Sequence, residues 1–386
     1  MKTKLRNYIV VGRPQLIALA LLFCFATFCI TVIQRKPFTA DEQNHIWSGR
    51  QIIAYKAIPR HFQHTPLVNL AAAAPMKFDA NRFSDPRQAL TQQDVQKEVI
   101  RLRWMLRAPF VFAGLILGAS IWYVSRRLYG NAGGYIALSL YCFSPVMVLH
   151  AASIGEAVPS AWGIFGIIFG GIAISHNLYA PMRKWRYRTV LLSIAATLAI
   201  ASHPAAMVVF PAALLFMLYL APGRRWAALL VALVSTVLSA AFVFATYGFY
   251  PQALRQGIDL RAWLKYQPEV SRPLFFDVRF LMENFTLAYI LLFAVALVSY
   301  MLWKRSRYFG NTAPLFTGLC LLYAAMITPL TSIATIWALP FLYVFTGGIW
   351  ADLLETRHRK WVASALMILL GENAWLCWAT IRLALA

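Results

Sequence analysis

Charged side chains are scarce in this chain of 386 residues. Asp, Glu, Lys and Arg make up 13% of it, whereas hydrophobic residues make up 60%. A soluble domain would carry about twice that charged fraction. Apolar runs of about 18 or more residues recur along the sequence, and they are continuous rather than alternating. This pattern argues against a soluble enzyme and a β-barrel, and it predicts an all-α polytopic membrane protein.

Acidic residues and cysteines are also few. The chain has 14 acidic residues against 36 basic ones, a formal net charge of +22. The basic residues are concentrated in short loops between apolar runs, so membrane topology explains them and we expect no nucleic-acid partner. The five cysteines lie inside apolar runs without metal-binding spacing, which is typical of small buried hydrophobic residues. A Gly-rich phosphate loop is missing, so nothing indicates a nucleotide-sugar site.

The apolar runs predict about eleven transmembrane helices. We place them near residues 15–33, 104–124, 135–150, 157–175, 189–202, 204–220, 227–247, 285–303, 312–328, 332–350 and 361–381. The first run is longer than the apolar region of a signal peptide and is followed by Gln34-Arg35-Lys36-Pro37, so we interpret it as a retained span. Residues 1–386 are predicted to form a single integral-membrane domain.

Basic clusters such as Arg126-Arg127 and Lys304-Arg305 occur at every second loop. By the positive-inside rule, this alternation places the N-terminus in the cytoplasm and the C-terminus outside. The first outside loop, residues 34–103, mixes apolar with polar residues, which predicts helices lying at the membrane interface. We expect a multi-pass protein of a bacterial inner (plasma) membrane whose active site is on the periplasmic or outer face.

Most titratable side chains map to that predicted outer face. The carboxylates that do not are Asp352, Glu355 and Glu372, and the histidines that do not are His176 and His358. Groups capable of acid–base chemistry are therefore concentrated at the outer leaflet, under the first loop.

An acidic pair, Asp41-Glu42, follows the first predicted span. Thr39-Ala40-Asp41-Glu42 matches a capping box, in which Thr39 is the N-cap, Glu42 is the third helical residue and Asp41 favours the helix dipole. This structural interpretation is compatible with a catalytic one, because a helix that must begin at Ala40 would hold Asp41 in a fixed orientation.

Three histidines, His45, His61 and His64, follow the acidic pair within about 25 residues. They could hold a divalent metal or a phosphate, although their spacing matches no compact zinc signature. A single histidine such as His64, just before a proline-initiated helix, is more often a surface or capping residue.

Two further outer-face features have a structural and a functional interpretation. Glu156, between the third and fourth predicted spans, is either a solvated loop residue or part of an active site. Arg101, Arg103 and Arg107 stand at the outer entry to the second span. They either extend to the interface or bind an anionic lipid phosphate.

Together, these residues resemble the integral-membrane glycosyltransferases of the C-type fold. The likeness is to the dolichyl-phosphate-mannose–protein mannosyltransferase-like group, glycosyltransferase family 39, and to its bacterial relatives, the aminoarabinose transferases of lipid A. It is carried by Asp41-Glu42, by His45 and Gly49 on the following helix, and by His64-Thr65-Pro66-Leu67. The resemblance covers roughly residues 35–220. Thr65 departs from the family pattern, which has a proline there.

The resemblance implies an inverting transfer of a hexosyl- or pentosyl-type sugar from a polyprenyl-phosphate-linked donor to an acceptor hydroxyl. Asp41 would be the base, with Glu42 and Glu156 as further catalytic candidates. The departing phosphate needs positive charge or hydrogen-bond donors, for which the substrate-binding candidates are His45, His64, Arg103, Arg107, His150 and His203. Expected partners are the donor, membrane lipids and a lipid, glycan or protein acceptor. No cofactor is assigned, and a divalent cation is left open.

Two other functions stay open at this point. A lipid or solute transporter or flippase would also have many spans, but it predicts inverted repeats and charges near the bilayer midplane, and the sequence shows no such repeat. An inactive glycosyltransferase-like assembly partner is compatible with departures such as Thr65.

Overall fold

The computed structural model describes residues 12–55, 65–78, 92–179, 183–258, 285–327 and 331–385, and the regular elements in these ranges are all helices. The predicted all-α class is thereby confirmed. The α-helices are α1 Arg13–Arg35, α2 Ala40–Tyr55, α3 Pro66–Ala73, α4 Gln92–Cys142, α5 Pro145–Ala151, α6 Ala157–Asn177, α7 Arg183–Ser202, α8 Val209–Leu220, α9 Arg225–Thr246, α10 Pro251–Gly257, α11 Leu287–Leu302, α12 Phe309–Ile327, α13 Thr331–Leu354 and α14 Arg359–Ala384.

Several helices can cross a membrane. In the described ranges, 6 stretches are long and apolar enough: Arg13–Arg35, Arg101–Cys142, Ala157–Asn177, Pro222–Thr246, Ile333–Leu354 and Arg359–Ala384. The chain is therefore a multi-pass membrane protein, as expected. The predicted spans fall on helical segments, except that the span at 135–150 covers the end of α4 and all but the last residue of α5. How many of these segments cross the bilayer stays a prediction.

Helix α4 contains two predicted spans, joined by a reversal at Gly130. Its φ of 74° and ψ of −170° are strained for a residue with a Cβ atom, so glycine is needed at this position. The two halves of α4, before and after Gly130, pack against each other. Between them, the Tyr141 hydroxyl donates a hydrogen bond to the carbonyl oxygen of Gly114 at 2.6 Å. The short cytoplasmic turn predicted between the second and third spans is this reversal.

Helix α7 ends at Ser202, just before Pro204, at the predicted joint between the fifth and sixth spans. His203 is extended, with a φ of −151° and a ψ of 115°, because a residue that precedes proline is disfavoured in the helical region. A 3₁₀ turn, Pro204–Val208, then leads into α8. The joint is therefore a break between two elements.

Helix α13 forms the centre of the bundle. It is almost completely buried and packs against α4, α6, α11, α12 and α14. Its large side chains Trp337, Phe341, Tyr343 and Phe345 fill the core. Helix α14, by contrast, lies at the edge and leaves most of its surface exposed.

Helices α2 and α3, from the predicted first outside loop, pack tightly against each other. Gly49 of α2 lies so close to α3 that a Cβ atom there would come within 2.0 Å of the Asn69 carbonyl oxygen. Glycine is therefore required for this close approach. The contact places α2 against Asn69 of α3, at the end of the bundle where α1 ends.

Candidate active site

The start of helix α2 is fixed by the predicted capping box. The backbone N–H of Thr39 donates to Oε2 of Glu42 at 2.9 Å, and the backbone N–H of Glu42 donates to Oγ1 of Thr39 at 3.3 Å. Each side chain satisfies a backbone N–H that has no partner within the helix. The capping box is thus confirmed.

Glu42 also forms a buried ion pair with Arg107 of helix α4. Arg107 donates from Nε to Oε1 at 2.9 Å and from Nη2 to Oε2 at 2.8 Å. The backbone N–H of Ile154 donates to Oε1 at 2.9 Å. The Glu42 side chain is 2% exposed and that of Arg107 is 0% exposed, so the pair is shielded from water.

The remaining donors of Arg107 hold the segment between α1 and α2. Its Nη1 and Nη2 atoms donate to the carbonyl oxygens of Lys36 and Pro37, both at 2.9 Å. Its guanidinium carbon lies 4.7 Å from the ring centroid of Phe38. One guanidinium thus ties together the end of α1, the start of α2 and helix α4, and through Glu42 it also holds the turn before α6.

These bonds change the interpretation of two predicted site residues. Burial alone would raise the pKa of Glu42, but hydrogen bonds from Arg107, Thr39 and Ile154 outweigh burial and lower it. Both carboxylate oxygens are occupied, which disfavours proton transfer by Glu42. Arg107 faces Glu42 and the backbone, which disfavours substrate binding. We propose a structural role for both residues in place of the predicted catalytic and substrate-binding roles.

Asp41, His45 and Glu156 are brought together at the same end of the bundle. Asp41 is exposed in the first turn of α2. His45, one turn later, has its Nε2 atom 3.8 Å from Oε2 of Glu156, the residue that precedes α6. Its Nδ1 atom lies 2.7 Å from Oδ1 of the buried Asn69 in α3. Three separate elements therefore build this cluster.

The electrostatics of the cluster favour proton exchange near neutral pH. Burial, and then the negative charge of Asp41, raise the pKa of Glu156 to about 7. Burial lowers the pKa of His45, although its hydrogen bond with Asn69 and the charges of Asp41 and Glu42 oppose that shift. A protein that keeps a carboxyl group poised near pH 7 can use it as a general acid or base.

The raised pKa predicts that replacing Glu156 by Gln stabilises the protein at high pH. The pKa of Glu156 rises from 4.5 to about 7 on folding, so wild-type stability falls as pH rises through that interval. Gln does not ionise. We expect Glu156→Gln to be more stable than wild type by about 1 to 3 kcal/mol at pH 8, with little difference at pH 4.5.

Thermal unfolding in one detergent at both pH values measures this difference. Glu355→Gln is the matched control, because it is the same substitution at a carboxylate whose side chain is 69% exposed. A Glu156→Gln offset that is equal at pH 4.5 and pH 8 would show that burial does not perturb this carboxyl group.

Two basic side chains at this end of the bundle can meet an anion. Arg103 lies one turn before Arg107 on the same face of α4, and its buried Nε atom has no hydrogen-bond partner among the described residues. Lys36 donates from Nζ to Oγ of Ser153 at 2.9 Å. Burial lowers the pKa of Lys36, against the opposing charge of Glu42.

Sequence reasoning missed Lys36, Asn69 and Ser153. Lys36 was interpreted only as a residue after the first span. Asn69 lies in the apolar stretch that follows Pro66, where it is fully buried. A polar residue at a buried helical position was the one available signal, since such a side chain needs a hydrogen-bond partner.

The other predicted histidines are placed differently. His203 is fully buried, with its ring 5.3 Å from that of Trp337 of α13, so its placement does not favour contact with substrate. His150, in the last turn of α5, lies within electrostatic range of Lys36. His64, like His61, lies outside the described residues. The described ranges contain no group of three or more His, Cys, Asp and Glu side chains that could hold a metal ion. Because His61 and His64 lie outside these ranges, binding of a divalent cation stays an untested possibility of the sequence.

Comparison with known proteins gives a match at the level of structure. No family model and no curated protein matches the sequence. Solved structures do match, and their fold is that of the C-type membrane glycosyltransferases. One is ArnT from Cupriavidus metallidurans bound to undecaprenyl phosphate, with a TM-score of 0.66 and 13% identity over 92% of this chain and 63% of that chain. Another is the oligosaccharyltransferase of Archaeoglobus fulgidus in complex with Zn and sulfate, with a TM-score of 0.59 and 14% identity over 95% of this chain and 53% of that chain.

These matches establish the fold, which the sequence resemblance implied. The chain has the architecture of the C-type membrane glycosyltransferases. It is similar to lipid A aminoarabinose transferase and to an archaeal oligosaccharyltransferase, and it spans less than two thirds of the length of either.

Proposed function

We propose that this chain is a membrane glycosyltransferase that moves a sugar from a polyprenyl-phosphate-linked donor to an acceptor hydroxyl at the predicted outer face. The observation that carries the proposal is the cluster of Asp41, His45 and Glu156, at the end of the bundle that also holds Lys36 and Arg103. It combines proton acceptors with cationic donors at one end of a glycosyltransferase fold. The similar ArnT structure contains undecaprenyl phosphate, which supports a lipid-phosphate substrate.

Asp41 is the best-placed base for the acceptor. Glu42 is committed to Arg107, and Glu156 is partly buried beside His45, whereas Asp41 is exposed. Its carboxylate accepts the hydroxyl proton as the acceptor oxygen bonds to the anomeric carbon. The bond from that carbon to the phosphate oxygen breaks in the same step, and the polyprenyl phosphate leaves with the electron pair. A single displacement of this kind inverts the anomeric centre.

Arg103 and Lys36 are proposed to stabilise the leaving phosphate. The Nε of Arg103, which has no hydrogen-bond partner in the described part of the chain, is a donor that burial has removed from water, so a charge-assisted hydrogen bond to phosphate would satisfy it. Lys36 adds a second cationic donor that Ser153 already orients. Phosphate is a good leaving group once its charge is compensated, so a strong general acid is not needed.

Binding and transfer by the purified protein in lipid nanodiscs test the proposal. We expect undecaprenyl phosphate to bind, and undecaprenol, which lacks the phosphate, to bind much more weakly. Arg103→Gln should weaken binding of the phosphate by about 10- to 100-fold. With hexosyl and pentosyl donors on undecaprenyl phosphate, the protein should release the lipid phosphate and transfer the sugar.

Arg101→Gln is the matched control, because Arg101 is on the same helix but on a different face. Equal effects of the two substitutions would assign the binding to general surface charge. Equal binding of undecaprenol and undecaprenyl phosphate, or no consumption of any donor, would argue against the proposed function.

A further inference from the structure

Helix α14 presents an exposed face with a carboxylate at its centre. Large side chains on that face are 68–80% exposed: Trp361, Ile368 and Trp375, which follow one another at seven-residue intervals. Glu372 and Gly371 lie on the same face and are exposed as well. The helix is one of the stretches long and apolar enough to cross a membrane.

The depth of Glu372 in a membrane follows from helix geometry. It lies about 20 Å along the axis from Arg359 and about 15 Å from Arg382, at a rise of about 1.5 Å per residue. The hydrocarbon core is about 30 Å thick. Glu372 is therefore near the bilayer midplane, too deep for its short side chain to reach either interface.

The outward orientation of Glu372 is fixed by hydrogen bonds on the side of α14 that faces the bundle. Asn373 is 1% exposed and faces the bundle, where its Nδ2 atom donates to the carbonyl oxygen of Phe143 at 3.2 Å and its Oδ1 atom accepts from the hydroxyl of Thr286. Rotating α14 to bury Glu372 would break both hydrogen bonds inside the membrane, where broken backbone and side-chain bonds are costly. Glu372 is thus held outward.

Glu372 makes no ion pair or hydrogen bond with any residue that the structure describes. A carboxylate facing lipid at mid-depth is costly, and such residues face a cavity or a partner. The site proposed for sugar transfer is built from residues at the end of α1, the start of α2 and the turn before α6, and Glu372 is not one of them.

We propose that this face of α14 binds a transmembrane helix of another protein, and that the partner carries a basic side chain near its own midpoint. The small residues Ser364, Ala365 and Gly371 are exposed on the face and allow a second helix to approach closely. A carboxylate at that depth is complementary to Lys, Arg or His, and the interaction supplies both packing and a hydrogen bond in a medium without water.

A different protein fits this face better than a second copy of this chain. The described Lys and Arg residues lie outside the predicted spans or within about a turn of their ends. A second copy therefore offers no described basic group at the depth of Glu372. In a symmetric pair, Glu372 would meet Glu372, which supplies no basic partner.

Model transmembrane peptides test the proposal with the full chain in phosphatidylcholine vesicles. The probes are Leu/Ala host peptides with a single central Lys, Leu or Glu. Energy transfer between a dye on each peptide and a dye on the protein reports association. We expect the Lys peptide to associate about ten-fold more strongly than the Leu peptide. Glu372→Gln should remove most of this preference, and Glu372→Lys should transfer it to the Glu peptide.

The matched control is Glu355→Gln, which removes an exposed carboxylate outside the spans and should leave the preference for the Lys peptide unchanged. Equal association of the three peptides with the wild-type protein would overturn the proposal. So would single-molecule counting that shows dimers whose formation requires Glu372, since the occupant would then be a second copy. Glu372 is not among the residues proposed for sugar transfer, so sugar transfer by Glu372→Gln at the wild-type rate is expected, and failure of one proposal leaves the other standing.

Discussion

Replacing Asp41 by Asn is expected to reduce sugar transfer by about 100- to 10,000-fold, the usual effect of removing a general base. Asn has nearly the same shape as Asp but cannot accept the acceptor's proton. Asp41 is exposed, and the bonds that start helix α2 are made by Thr39 and Glu42. The substitution should therefore change chemistry and leave folding intact. Transfer from a polyprenyl-phosphate sugar, measured at equal expression and equal melting temperature, gives the result.

Thr39→Ala makes the opposite change. It removes the hydroxyl that caps the N–H of Glu42 but keeps the base. We expect a loss of stability of about 1 kcal/mol and transfer within a few-fold of wild type. If Thr39→Ala were the more harmful change in transfer, the role of this segment would be structural. If Asp41→Asn kept near wild-type transfer, Glu156 would become the favoured base.

Asp41 and Glu156, the two candidate bases, are coupled electrostatically. Asp41 and Glu156 are close enough that the charge of Asp41 raises the pKa of Glu156. Removing that charge by Asp41→Asn should lower the pKa of Glu156, so any residual activity should shift its pH dependence towards lower pH. A shift of this kind would show that the two carboxyl groups form one site.

The features that sequence predicted are the local ones. Continuous apolar runs predicted helices, because a segment of that length in lipid must satisfy its own backbone. The capping box was predicted from the spacing of Thr39 and Glu42 alone. The break at Pro204 follows from the conformational limits on the residue before it. Each of these depends on neighbours within a few residues.

The features that sequence could not predict depend on distant partners. Arg107 and Glu42 are 65 residues apart, and the third partner is a backbone N–H at Ile154, which no side-chain pattern reveals. His203 was expected at the outer face because it lies in a loop between two apolar runs. The structure buries it against Trp337, more than 130 residues later, because the break before Pro204 is inside the bundle. Long-range packing decided both cases.

Replacing Arg107 by Met is expected to have the largest effect on stability. Met has a similar volume and would leave the carboxylate of Glu42 buried without a counter-ion. Breaking a buried pair on one side costs about 3 to 5 kcal/mol. The carbonyl oxygens of Lys36 and Pro37 would also lose their donors. We expect the unfolding midpoint in detergent to fall by at least about 5 °C. Arg305→Met is the matched control, since Arg305 and Glu355 are 73% and 69% exposed and such pairs contribute little.

The pH dependence and a second substitution separate the charge effect from lost packing. The folded-state pKa of Glu42 is lowered from 4.5, so its contribution to wild-type stability is present above that value and is lost as pH falls through the folded-state pKa. In Arg107→Met the carboxyl group can bind a proton instead, so the deficit should shrink as pH falls. Adding Glu42→Gln to Arg107→Met removes the unpaired charge and keeps an acceptor for the N–H of Ile154. The double variant should regain at least half of the lost stability at pH 8. A deficit that is the same at all pH values and in the double variant would mean that the guanidinium acts through packing and backbone bonds, and that its pairing with Glu42 contributes nothing.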